Sequence, residues 1–210
     1  MKEEYFLDNV SILSKKKNIK NINLKIHKGD FLVIRGSNSS GKSLFLKLFF
    51  LKLLPSTGTL YVKGTKISED SKRTITKLRK KMGVILQNDF LIPFFSVYQN
   101  VELASQIQNL KSKFSIRMEE ISEWLDLKEI KNEKIVNLSN SQKQKVVIAR
   151  ALINNPSIII ADQPETFLDE ESRKKIFFLF ESLSKIGSTI IITSSFSQKI
   201  NVEHKTIELK

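Results

Sequence analysis

The chain contains no cysteine, so it has no disulfide framework and no thiolate metal site, a usage that fits a cytosolic protein. It also lacks any apolar run long enough to span a bilayer. The greasiest stretch, Leu44 to Leu54, interrupts itself with Lys47 and Lys52 and falls well short of the roughly 20 residues a spanning helix needs. Met1-Lys2-Glu3-Glu4 carries no apolar core of a secretory leader. The expectation is a soluble protein, attached to a membrane only through a partner or by charge. Acid is scarce: 22 Asp and Glu stand against 35 Lys and Arg, a formal net charge of +13. That balance invites a nucleic-acid partner. Yet Lys15-Lys16-Lys17, Lys72-Arg73, Arg79-Lys80-Lys81, Lys111, Lys113, Lys143 and Lys145 are dispersed, and no basic motif is interleaved with aromatics. They read as a solvated basic surface, with anionic membrane faces the next candidate; no specific nucleic-acid partner is expected.

What is present centres on Asp30 to Pro55. Phe31-Leu32-Val33-Ile34 reads as a buried strand, Gly36-Ser37-Asn38-Ser39-Ser40-Gly41-Lys42-Ser43 as a glycine-bounded loop, and Leu44 to Leu54 as a helix stopped by Pro55. Strand, G-x-x-x-x-G-K-S and helix together predict a phosphate-binding loop. Backbone N–H groups curl around an anion, and the helix N-terminus adds about half a positive charge. Lys42 is expected to reach the β- and γ-phosphates of a nucleoside triphosphate, with Leu44 completing the loop, and the Ser43 hydroxyl to ligate Mg²⁺.

Along the chain, strands are expected at Tyr5 to Leu13, Ile19 to Ile26, Thr59 to Val62, Met82 to Leu86, Ser157 to Ala161, Thr189 to Ile192 and Val202 to Leu209. Helices are expected at Ser71 to Lys81 and Asp169 to Ile186, and Val97 to Leu138 is helical in pattern. Ser139 sits where an N-cap belongs, before Val146 to Leu152. The reading is one α/β domain over 1–210, with a mainly parallel sheet and a helical subdomain inserted at 88–152. Ile158-Ile159-Ile160-Ala161-Asp162 is an apolar strand closed by a carboxylate, a second candidate for holding Mg²⁺.

With those motifs in hand, the chain resembles the ATP-binding-cassette (ABC) ATPases over its whole length. The matches are the phosphate loop, the Q-loop residue Gln87, the signature Leu138-Ser139-Asn140-Ser141-Gln142, the Walker B strand ending at Asp162, and the D-loop Leu168-Asp169. Within that superfamily it is most similar to the cell-division cassettes of the FtsE type, through Leu46 to Gly58, Met82 to Leu91 and Val97 to Val101. The resemblance implies a P-loop NTPase fold of ABC type with N-terminal antiparallel strands. It implies bound ATP with Mg²⁺ held by Ser43, Gln87 and Asp162, and a head-to-tail homodimer whose Ser139, Asn140, Ser141 and Gln142 face the partner's γ-phosphate. An integral membrane partner, an FtsX-like permease, would be reached through the Phe90 to Phe95 surface, with the cassette peripheral on the cytoplasmic face of the inner membrane. A lipoprotein or small-molecule exporter cassette and a non-catalytic scaffold are the alternatives.

Four departures from the family pattern fall where the chemistry happens. Gln163 stands in place of the water-polarising glutamate, and an amide cannot take a proton as a carboxylate can. Ser194 stands in place of the switch histidine, and His204 is too late in the chain to substitute. Asn140 and Ser141 replace signature glycines. Leu13-Ser14 stands where an adenine-stacking aromatic is expected, and Tyr5 and Phe6 read as structural. Together these imply phosphate and Mg²⁺ binding with impaired hydrolysis, losing about 10²- to 10⁴-fold in rate for a missing general base.

Overall fold

The computed structural model describes residues 3–15, 17–87, 90–106, 111–194 and 200–209. Met1, Lys2, Lys16, Asn88 and Asp89, which entered the sequence argument, lie outside the described residues. The strands are β1 (Glu3–Ile12), β2 (Ile19–His27), β3 (Phe31–Gly36), β4 (Thr57–Val62), β5 (Thr65–Ile67), β6 (Met82–Ile85), β7 (Ile158–Asp162), β8 (Thr189–Thr193) and β9 (Lys205–Leu209). The helices are α1 (Lys42–Phe49), α2 (Lys72–Arg79), α3 (Val97–Gln106), α4 (Lys111–Trp124), α5 (Asn140–Leu152) and α6 (Glu170–Lys185).

Two sheets form. An antiparallel one has the order β2-β1-β4-β5, and a parallel one has the order β6-β7-β8-β3-β9. The central parallel strands β3, β7 and β8 are near-continuous apolar runs because both faces are covered, whereas the edge strand β9 is polar and largely exposed. Side chains alternate between the faces with period two. Phe31, Val33, Ile159, Ala161, Ile190 and Ile192 join one core with α3 to α6. Leu32, Ile34, Ile158, Ile160 and Ile191 join a second core, with α1 and the antiparallel sheet. Strands β3, β7 and β8 are therefore held from both sides, so the loops at their carboxyl ends stand on a rigid base. Gly83 lets β6 lie close to α5, where a Cβ would meet the Ala151 carbonyl and Pro156.

The fold departs from the sequence reading in four places. Helix α1 stops at Phe49 rather than running to Leu54. Leu51 turns left-handed (φ 60°), and Arg79 donates to the carbonyls of Phe50 (3.2 Å) and Leu51 (2.6 Å). This tertiary cap ends the helix before Pro55 can. The hairpin from β4 to β5 turns on Lys63-Gly64, both at positive φ, which suits the twist of a two-residue hairpin loop. The helical pattern from Val97 to Leu138 divides into α3, α4 and a loop with a 3₁₀ turn at Ile135–Asn137. The last strand begins at Lys205; His204 precedes it, with its Nδ1 3.0 Å from the Val202 carbonyl oxygen.

Candidate functional site: a phosphate-loop cleft

The loop between β3 and α1 needs its glycines for steric reasons. Gly36 has φ 152°, and a Cβ there would collide with the Leu209 carbonyl and Ser40 Oγ. Gly41 caps α1 in the left-handed region (φ 95°), with Lys17 and Ile19 close behind it. The Lys42 ammonium, nearly buried, donates to the carbonyls of Gly36 (2.7 Å) and Ser37 (2.8 Å). It thereby closes the loop into a ring.

A cleft of about 610 Å³ opens over this loop, lined by Asn38, Ser39, Gly41, Lys42, Ser43 and Leu44, and across from them by Gln87 and Gln163. A second hollow of about 240 Å³ beside it brings Ser43, Gln87 and Asp162 together. These are the three residues singled out for Mg²⁺. A hydroxyl, an amide carbonyl and a carboxylate form an all-oxygen donor set, which fits Mg²⁺ when waters and phosphates complete the octahedron. Asp162 is buried and accepts from Thr193 Oγ1 at 2.6 Å. That bond fixes one carboxylate oxygen and orients the other.

The cleft is also lined by Ser14, Lys17 and Lys47, and among its described lining residues there is no aromatic ring. Leu13 is 53 % exposed. Tyr5 is buried, donating to the Phe49 carbonyl at 2.8 Å, and Phe6 stacks on Tyr61. Both earlier aromatics are structural.

Gln163 follows Asp162 in the left-handed region (φ 49°), held by N–H bonds to Thr193 O (3.2 Å) and Oγ1 (3.0 Å). Ser194 is buried and donates to Glu165 Oε1 at 2.7 Å. Glu165 and Thr193 were not singled out in the sequence, and Lys17 was read only as part of the dispersed basic surface. The signal for Glu165 was a carboxylate three residues beyond Asp162; for Thr193 there was none.

The signature segment stands elsewhere. Among the described lining residues of the cleft, none comes from Ser139 to Gln142. Ser139 caps α5 by accepting from Gln142 N (3.2 Å), while Gln142 Oε1 accepts from Ser139 N (2.9 Å). The capping box uses the Ser139 oxygen and leaves its O–H able to donate. Asn140 and Ser141 occupy the first helical positions, whose N–H groups have no intrahelical acceptor. Asp169 likewise caps α6, accepting from Ser172 N at 2.7 Å. That hydrogen bond holds its carboxyl below the usual range.

The segment after Gln87 presents an apolar surface. Phe90 is 66 % and Phe94 76 % exposed, while Leu91 is buried. Asn100 pins the loop, accepting from Ile92 N and donating to the carbonyls of Ile92 and Ser96. Phe90 and Ile92 border a groove of about 350 Å³ with Met82, Leu103 and the cations Arg79 and Arg150.

Comparison with known proteins agrees with this geometry. A family profile described as ABC transporter matches residues 19–166. The lipoprotein-releasing system ATP-binding protein LolD of Buchnera aphidicola is 36 % identical over 95 % of this chain and 90 % of its own. The cell division ATP-binding protein FtsE of Bacillus subtilis is 27 % identical over 91 % of this chain and 84 % of its own. The solved dimeric ATP-binding cassette MJ0796 bound to ADP and Pi superposes with a TM-score of 0.81 at 31 % identity, covering 98 % of this chain and 94 % of that one. With its phosphate loop, oxygen donor set and signature cap in the expected order, the chain belongs to the ABC transporter family of ATP-binding cassettes.

Proposed function

We propose that this chain is the ATP-binding subunit of a membrane complex, binding Mg-ATP at the phosphate-loop cleft and dimerising head to tail around it. The observation that carries the reading is the convergence of Ser43, Gln87 and Asp162 beside the Lys42 loop. The dimer is supported by the capped, exposed N-terminus of α5, which lies outside the chain's own cleft and can donate to an anion held by a second copy. A membrane protein would seat on the apolar surface from Phe90 to Phe95, beside the groove bordered by Phe90 and Ile92, with the segment 88–152 working as a helical subdomain that follows the nucleotide through Gln87. The cassette would then sit peripherally on the cytoplasmic face of the inner membrane; no helix among the described residues is long and apolar enough to cross a membrane.

The finer reading is an FtsE-like role in cell division with an FtsX-like permease. A lipoprotein-release role is a second reading, favoured by the 36 % identity to LolD. The membrane protein that co-purifies with the chain separates the two. In either role hydrolysis is slow, because Gln163 offers an amide where a carboxylate would take the proton. The test is ATP binding and phosphate release measured side by side, with Lys42→Ala as control. Binding that depends on Lys42, with release far below that of cassettes retaining the glutamate, supports the reading. Rapid Lys42-dependent release refutes the slow-hydrolysis part, and absence of binding refutes the whole.

A further inference from the structure

The carboxylate missing at position 163 is present two residues later, joined to the side chain that stands in place of the switch histidine. In the parallel sheet β8 lies between β7 and β3. Its carboxyl end therefore stands between Asp162 and the phosphate loop. Ser194 occupies that point, its N–H donating to Ile34 O at 3.3 Å, two residues before Gly36. Two side-chain donors add to the Gln163 N–H bonds that join the ends of β7 and β8: Thr193 Oγ1 to Asp162 at 2.6 Å, and Ser194 Oγ to Glu165 Oε1 at 2.7 Å. Glu165 is only 2 % exposed and Ser194 5 %. The loop carrying Glu165 is held in turn. Gln144 donates to the Pro164 carbonyl at 3.0 Å, and Thr166 N–H closes a turn onto Gln163 O at 3.0 Å. A buried carboxylate that accepts from a hydroxyl at the loop end of the sheet, on a backbone held at Pro164 and Gln163, has the parts of a two-step proton acceptor.

We propose that Glu165 acts through Ser194 to accept the proton of the water that attacks the terminal phosphate. The proposal rests on the reading of the cleft as an ATP site. The water oxygen bonds to the γ-phosphorus, and the bond to the β,γ-bridging oxygen breaks, giving ADP and inorganic phosphate. The water proton passes to Ser194 Oγ as the Ser194 proton passes to Glu165, which later returns it to solvent. Ser194 is the group that meets the water; Glu165 is a positioning and proton-holding residue behind it. The pair sustains the slow hydrolysis that Gln163 by itself does not.

Glu165→Gln separates the two roles of the side chain, because an amide oxygen still accepts the Ser194 hydrogen bond but takes no proton. The experiment measures steady-state kcat and KM, fluorescent-ATP affinity and melting temperature for the unmodified protein, Glu165→Gln, Ser194→Ala and Ser194→Thr. We expect kcat to fall about 10²-fold in Glu165→Gln and Ser194→Ala, the scale of a general-base loss, with KM and ATP affinity unchanged. Ser194→Thr, which keeps the hydroxyl, recovers kcat. Unchanged kcat in Glu165→Gln, or failure of threonine to restore what alanine loses, overturns the proposal. So does an unmodified protein that binds ATP without turning it over. Loss of ATP binding in the unmodified protein overturns the ATP-site reading itself, and is distinguished by the affinity measurement.

Discussion

Removing the Tyr5 hydroxyl tests how the antiparallel sheet holds the phosphate-loop helix. Tyr5 is fully buried, and its hydroxyl donates to the carbonyl of Phe49, the last residue of α1, at 2.8 Å. Its ring meets Phe49 edge-on, with centroids 5.4 Å apart. Burial pushes the phenol well above its ordinary ionisation range, so it stays a neutral donor throughout the working pH range. Tyr5→Phe keeps the ring contact and deletes only the donor, leaving a helix-end carbonyl buried without that partner. A net hydrogen bond is worth about 1 kcal/mol, and an orphaned buried acceptor costs about 1–3 kcal/mol. A loss of about 2 kcal/mol is therefore expected. For a chain of this size each kcal/mol moves the melting temperature by about 2–4 °C, so Tm falls by about 4–8 °C. ATP affinity below the transition stays unchanged, since Tyr5 does not line the cleft. Differential scanning fluorimetry and a fluorescent-ATP titration on the same samples read both quantities. A Tm within 1 °C of the unmodified protein (roughly a quarter of the smaller shift expected) would refute the burial argument. Weaker ATP binding with unchanged Tm would refute the assignment of Tyr5 as structural.

Three further outcomes follow from the same geometry. Gln163→Glu raises phosphate release, measured by coupled assay, but leaves it at least about tenfold below that of cassettes with an intact glutamate and switch histidine, because Ser194 and the altered signature remain. Phe94→Asp, at a side chain 76 % exposed, leaves Tm and ATP affinity unchanged but abolishes co-purification of the membrane partner; undiminished recovery would place the docking surface elsewhere. The Asp126 carboxyl is held below its ordinary range first by the hydrogen bond from Lys145, against partial burial, with Lys175 adding to it. A depressed folded value means stability present above the unfolded pKa of about 4 and lost as pH falls through the lower folded value. Asp126 is half exposed, so the contribution is a fraction of a kcal/mol at neutral pH. Urea midpoints of Asp126→Asn and the unmodified protein should differ slightly at pH 7 and converge in strong acid.

The sequence by itself determined the nucleotide end of the molecule. The phosphate loop, Gln87, Asp162 and the Ser139 cap are local features, in which residue type and spacing specify the backbone and the donor set within a few positions. The buried strands Phe31–Gly36, Ile158–Asp162 and Thr189–Thr193 were legible for the same reason: an unbroken apolar run tolerates no other placement once both faces are covered. The departures at Gln163 and Ser194 were visible as substitutions.

Tertiary structure decided what those substitutions touch. Helix α1 ends at Phe49 because Arg79, about thirty residues on, takes the Phe50 and Leu51 carbonyls, and no local pattern announces such a cap. The surface at Phe90 and Phe94 is held outside because Asn100 ties the loop by its own backbone and leaves the rings exposed. Glu165 reaches Ser194 only because β7 and β8 are parallel neighbours in register, Asp162 beside Thr193. Periodicity along one chain specifies which face a residue takes, whereas the partner across the sheet depends on strand order, and strand order is set by packing.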